Sequence, residues 1–430
     1  MAINNEIFSL MKLLFPFNRS ITGNGVRKTL QEIKNYIPLQ IIEVPTGTKV
    51  FDWEVPPEWN VEDAYIENSR GEKVVDFKKN NLHLVSYSVP VNKILRLNEL
   101  KKHLFSLPEH PGWIPYRTTY YKRDWGFCMA HNRLLELKED NYKVVIKSSL
   151  ENGSLTYGEF FIKGKTQKEV LFSTHICHPS MANDNLSGIS VMTMLAKYLY
   201  DLYGNDSSGR PQYSYRFLFV PATIGAITWL AQNEDKLANI EFGLVTSLLG
   251  DDGNFNYKKS RRGNSPVDKI VPFVLEKKKK KFEVLEFTPY GYDERQFCSP
   301  GLNLPVGRLT RTPNGEFPEY HTSADNLEFI SPEKLEEAFN LFVGIIKTIE
   351  ANKKYLNLNP KCEPQLGKRG LYKSVAGNIK EYELALLWVL NMSDGTNDLV
   401  DISNKSGIPF DVISKAASDL LNVNLLKELK

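Results

Sequence analysis

The sequence predicts an α/β protein on a mostly parallel sheet, with a small β-rich insert and a separate helical module at its end. Three observations carry this. Strand-like and helix-like stretches alternate from about residue 142 to 248, as βαβ units do. Residues 43–131 mix short β-favouring runs with many aromatics, Pro, Gly and Asn. The last 60 residues read as short helices joined by turns, after a polar stretch rich in Asn, Lys, Pro and Gly.

In chain order, residues 1–42 hold two amphipathic helical stretches, separated by a loop around 15–25, which belong with the main domain. The insert follows at 43–131. The main domain resumes at 132–355 with strands at 142–148, 157–163, 169–174, 215–220 and 242–248, and helices at 188–202 and 224–232. Residues 253–282 look loop-like at first, and the run Lys277–Lys281 reads as a solvated surface strand or loop. Ser331 caps a long helix to Ala351, with Pro332 in its first turn. A linker is expected at 356–370. Residues 371–430 then give helices at 381–391, 399–406 and 409–421, the pattern of a winged helix.

Composition narrows the partners. The 430 residues carry 54 basic and 51 acidic side chains, and the third helix of the end module, FDVISKAASDLL, has one Lys against two Asp, so there is no strong case for nucleic acid. That leaves a protein partner or a homo-oligomer open for the module. No segment reaches the roughly 18 apolar residues of a membrane span, and the first residues lack the basic start of a signal peptide. Cys128, Cys177, Cys298 and Cys362 are scattered, which predicts reduced thiols in a cytoplasmic protein.

The chemistry concentrates in VLFSTHICHPSMANDNLSGIS, residues 170–190. A short buried strand delivers His175 to its end, and a polar loop brings Asp184 to the start of the next helix. Zinc takes His nitrogen and Asp oxygen and, when catalytic, keeps a position open for water. Asp251 follows the strand at 242–248, and His321 lies in the polar loop before the last long helix. A set ordered His, Asp, Asp, His suits a cocatalytic zinc pair. Tyr292, Asp293, Glu294 and Arg295 fall in a Gly-rich turn, where either Asp293 or Glu294 beside Arg295 binds an amine and a carboxylate while Tyr292 lines the pocket, or the segment is an ordered turn with an Asp–Arg pair. The aromatic segment 116–132 suits a lid or a sugar-binding wall, or a core strand pair of the insert.

STHICHPSMANDNLSG, VPATIGAITWL, GYDERQFCSPGLNLPVG and PEYHTSADNLEFI together resemble the bacterial aminopeptidase-like proteins related to the zinc aminopeptidase and carboxypeptidase superfamily. The resemblance spans nearly the whole chain. It implies a phosphorylase/hydrolase-like α/β sandwich with inserted β domain and C-terminal winged helix. It implies zinc held by His175, Asp184 and His321, with Asp251 the further carboxylate. One residue departs: where the family has a PETIG-like glutamate after its strand, this chain has Ala222. In related enzymes that glutamate takes a proton from water or binds metal, and a missing general base costs ~10²–10⁴-fold in rate. Glu294 and Glu319 are the candidates to replace it. The resulting expectation is a zinc-dependent aminopeptidase-like hydrolase of a small peptide or amide-linked conjugate, weakened at position 222. The alternative is a non-catalytic, metal-containing binding protein whose winged helix meets a partner.

Overall fold

The structure is a computed structural model that describes residues 2–204, 209–278, 281–371 and 380–429. The chain forms two compact units, residues 1–342 and 343–430.

The first unit is organised by an eight-stranded mixed sheet. Its order is Gln40–Pro45, Ser154–Ile162, Ser214–Val220, Glu169–His175, Ile240–Thr246, Val306–Thr310, Phe255–Lys258, Phe282–Leu285. The four central strands, from Ser214–Val220 to Val306–Thr310, run parallel. Antiparallel pairing begins on both sides of them. Glu169–His175 and Ser214–Val220 are buried along their whole length, as strands covered on both faces must be. Phe172 stacks on Phe217 on the face where Phe342 and the helix Gly188–Tyr203 lie. Leu171 points the other way, into a cluster with Ile224, Ile227 and Trp229 of the helix Ile224–Gln232. The mixed α/β sandwich with its small extra sheets and C-terminal winged helix is the predicted fold class.

The neighbours of the His175 strand set the site. It lies between Ser214–Val220, reached through the helix Gly188–Tyr203, and Ile240–Thr246, reached through the helix Ile224–Gln232, so the strand order reverses there and a crevice opens at its carboxyl end. Register aligns His175 with Val220, so Ala222 lies two residues beyond the same edge.

Two stretches differ from the sequence reading. Asn141–Glu151, placed by its apolar run in the main domain, pairs with Glu58–Glu67 and Val91–Arg96 and completes the four-stranded insert sheet instead. Local pattern cannot tell which sheet a buried run will join. The segment from 253, loop-like at first in sequence, holds the strand Phe255–Lys258 and the helix Pro266–Lys277, and the strand Phe282–Leu285 follows. Asp268 makes that helix start: its carboxylate accepts from Ser260 N, Ser265 N and the Tyr257 hydroxyl. Lys279 and Lys280 of the basic run lie outside the described residues.

The second unit contains the helices Glu381–Met392, Leu399–Ser406 and Phe410–Asn422, with a three-stranded sheet in the order Asp394–Asp398, Lys354–Asn357, Leu426–Leu429. Asp398 and Asp401 form a reciprocal capping box at the second helix, and Gly407 ends it at φ 72°. The expected linker is partly built in, because Lys354–Asn357 is the central strand and Leu366 packs in the core of the unit. Residues 372–379 of the predicted module lie outside the described residues. No helix among the described residues is long and apolar enough to cross a membrane. All four cysteines are free.

Candidate metal centre

Asp184 is the centre of the site. It is fully buried, and its two oxygens face different imidazoles: Oδ1 lies 2.8 Å from His175 Nε2, and Oδ2 lies 3.0 Å from His321 Nε2. His178 Nε2 approaches Oδ2 at 4.0 Å. His175, His178 and Asp184 form a group able to hold a metal ion. His178 was missing from the candidate set, although its spacing of three residues from His175 was a visible signal.

The backbone around Asp184 is held by its neighbours. Asp325 accepts from the amides of Asn183 at 2.6 Å and Asp184 at 2.8 Å. Asn185 Nδ2 donates to the His175 carbonyl at 2.9 Å and to Thr174 Oγ1 at 2.8 Å, tying the loop to the strand end. Only glycine fits at 188, where a Cβ would sit 2.4 Å from Asn185 Oδ1. On the other side, Asn183 donates to Asp251 Oδ2 at 2.9 Å. Asp251 Oδ1 accepts from Gly253 N and Thr312 Oγ1, so this carboxylate sits behind Asn183 and stands apart from the imidazole group. His321 adopts φ 56°, a left-handed conformation that costs a non-glycine residue about 1 kcal/mol or more and is retained where the surroundings require it.

Aromatic rings wall the centre. Tyr292 stacks on His175 with ring centroids 4.7 Å apart, and its hydroxyl reaches Asp184 Oδ1 at 3.3 Å and the Tyr320 hydroxyl at 3.2 Å. Tyr320 stacks on His321 at 3.9 Å. From the insert, Tyr116 meets His321 edge-on at 5.2 Å and donates its amide to the His321 carbonyl. The segment 116–132 thus lines the site through Tyr116.

The electrostatics follow from burial. Desolvation works to raise the Asp184 carboxyl, yet His178 and the hydrogen bonds from His175 and His321 outweigh it and hold the group well below the usual carboxylate range. Burial drives His178 down to about 3, so its imidazole is neutral and has a lone pair to offer. Burial raises Tyr292 well above 10, with Asp184 adding, so its hydroxyl stays a donor. Apart from their 3.0 Å approach to each other, Asp184 Oδ2 and His321 Nε2 are buried and lack a hydrogen-bond partner. A carboxylate facing imidazole nitrogens, with orphaned atoms on both, is a donor set that fits zinc.

The remaining candidates sit around this core. Glu294 is fully buried, with Oε1 2.7 Å from Lys258 Nζ and 3.7 Å from Arg308 Nη1. Gly291, at φ 152°, leaves room for that pair, since a Cβ there would lie 2.1 Å from Glu294 Oε1. Arg295 is half-buried with its Nε unpartnered. Asp293 is fully buried, and both of its oxygens lack a hydrogen-bond partner. Glu319 is half-buried beside Tyr320, and its carbonyl accepts from Thr322. Ala222 is half-buried, with its carbonyl 3.7 Å from Cys177 Sγ. Arg19, from the loop between the first two helices, is fully buried and donates Nε to the His178 carbonyl at 2.9 Å.

The fold is that of the zinc aminopeptidases. It is similar to BSAP, a zinc aminopeptidase from Bacillus subtilis, with a TM-score of 0.57 at 14% identity over 80% of this chain and 94% of that one. The chain belongs to the family described as domain of unknown function (DUF4910), matched over residues 8–352, followed by a winged helix-turn-helix at 353–428. It is 55% identical over 425 residues, 98% of this chain and 96% of the other, to a Clostridium acetobutylicum protein named as a candidate polysaccharide biosynthesis protein with aminopeptidase-like domain. It is also similar to the crystal structure of a candidate peptidase from Clostridium acetobutylicum, at 54% identity and a TM-score of 0.92 over 99% of this chain and 96% of that one.

Proposed function

We propose that this chain is a zinc-dependent, aminopeptidase-like hydrolase of a short peptide or amide-linked conjugate, working in the cytoplasm. The observation that carries the reading is the buried Asp184 carboxylate, with His175 at one oxygen and His321 at the other. His175, Asp184, His178 and His321 would hold the metal. Zinc, when bound, supplies Lewis-acid polarisation of a carbonyl and acidifies water. The chain's own residues do the rest. Asp325 and Asn185 fix the loop that presents Asp184, as outer partners of metal ligands do. Tyr292 and Tyr320 exclude water from one flank and keep neutral hydroxyls beside the carboxylate. The name of the Clostridium acetobutylicum relative supports a setting in polysaccharide biosynthesis, where an amide-linked aminosugar is a fitting substrate.

A second reading, a metal-containing binding protein without catalysis, is favoured by Ala222, and by Glu294 already sharing its charge with Lys258. Turnover separates the two. A panel of aminoacyl amides and amide-linked aminosugars should be cleaved by zinc-loaded protein and left intact after chelation. Zinc-loaded protein that cleaves none of them would favour the binder.

A further inference from the structure

Among the described residues, Asp293 is the one side chain with both carboxyl oxygens buried and unpartnered. Leaving a buried polar group unmatched costs about 1–3 kcal/mol, so such a group points to a task outside the resting fold. Each neighbouring carboxylate is engaged through at least one oxygen: Asp184 with imidazoles, Asp325 with backbone amides, Asp251 with Asn183 and Thr312, and Glu294 with Lys258.

Its position ties it to the site. Asp293 directly follows Tyr292, whose ring lies on His175 and whose hydroxyl reaches Asp184. The Cys177 thiol, which touches the Ala222 carbonyl, is raised to about 12 by burial foremost, and the charges of Asp293 and Asp184 both add to that rise. Asp293 and Ala222 thus both bear on the Cys177 thiol, which follows His175 by two residues.

We propose that Asp293 is the acid–base group of the site, in the role that Ala222 leaves unfilled. The inference rests on the hydrolase reading above. As water attacks the amide, the bond from its oxygen to the carbonyl carbon forms and the carbon–nitrogen bond breaks. The proton released by the water passes to Asp293 and on to the departing amine. The groups facing Asp293 suit the task. Burial and then Glu294 raise its carboxyl to about 8, against the opposing charge of Arg295, and a proton-transfer group works best near the operating pH. Lys258 and Arg308 are directed at Glu294.

The test compares zinc-loaded parent, Asp293→Asn and Asp293→Glu on one cleavable aminoacyl amide. The expected result for Asp293→Asn is unchanged zinc content, KM within a few-fold, kcat lower by ~10²-fold or more, and loss of the acidic limb of the kcat profile, with partial recovery in Asp293→Glu. Infrared difference titration of parent against Asp293→Asn, both metal-free, should show one carboxyl titrating in the neutral to mildly alkaline range, independently of turnover. Loss of zinc from Asp293→Asn would make the residue a ligand and overturn the proposal, as would kcat within twofold of the parent. A zinc-loaded parent that cleaves nothing removes the hydrolase reading and the role with it.

Discussion

At the scale of single residues, His175, Asp184 and His321 were legible because each follows a strand or precedes a helix in a polar loop. That placement alone aims side chains at the sheet edge. Asp325 was not, since its role depends on how two loops about 140 residues apart fold onto each other, as the 2.8 Å contact from Asp184 N to Asp325 shows. Ala222 was legible only by resemblance. It lies two residues beyond Val220, the strand partner of His175, and its carbonyl is 3.7 Å from the Cys177 thiol. Ala222→Glu should therefore raise amide hydrolysis by ~10²-fold or more and, introduced into Asp293→Asn, restore part of the lost rate. A zinc-loaded, folded Ala222→Glu protein no faster than the parent would mean that position 222 does not reach the reacting groups.

At the scale of elements, helices and central strands were readable from periodicity, and the errors came where tertiary pairing decides. Asn141–Glu151 has the apolar run of a main-sheet strand but bonds to the insert, and Pro266–Lys277 starts from a capping box whose Asp268 is also bound by Tyr257 and Ser260. The insert is pinned to the main domain by Arg27 of the helix Asn24–Lys34, which donates to both oxygens of Glu58 at 2.6 Å. Those hydrogen bonds from Arg27 lower the Glu58 carboxyl from 4.5 to about 2, against burial. A depressed acid gives stability that is complete above its unfolded pKa and is lost as pH falls through the folded one, here from about 4.5 toward 2. Glu58→Gln should cost about 1 kcal/mol near neutral pH and less at pH ~3, read from urea midpoints. An equal cost at both pH values would show that the ion pair does not stabilise the docking.

At the scale of the whole molecule, the two-part organisation was visible in composition, while its boundary was not, because Lys354–Asn357 sits in polar, linker-like sequence and becomes strand only when Asp394–Asp398 and Leu426–Leu429 pair with it. The second unit has a core of its own, built on Leu386, Val389, Ile413 and Leu420. A fragment of residues 353–430 should therefore unfold cooperatively by itself, with helical circular dichroism lost in one transition. A fragment that is unfolded in buffer would show that this unit needs the rest of the chain.

The central claim is that Asp184 and the imidazoles around it hold zinc. Zinc per chain, measured by mass spectrometry on protein purified without chelator, tests it most directly. The account predicts near-stoichiometric or higher zinc in the parent, loss in His175→Ala, and weakened retention in His178→Ala and His321→Ala, with all variants folded. Zinc retained in full by both His175→Ala and His321→Ala, or a folded parent that takes up none when zinc is supplied, would contradict it.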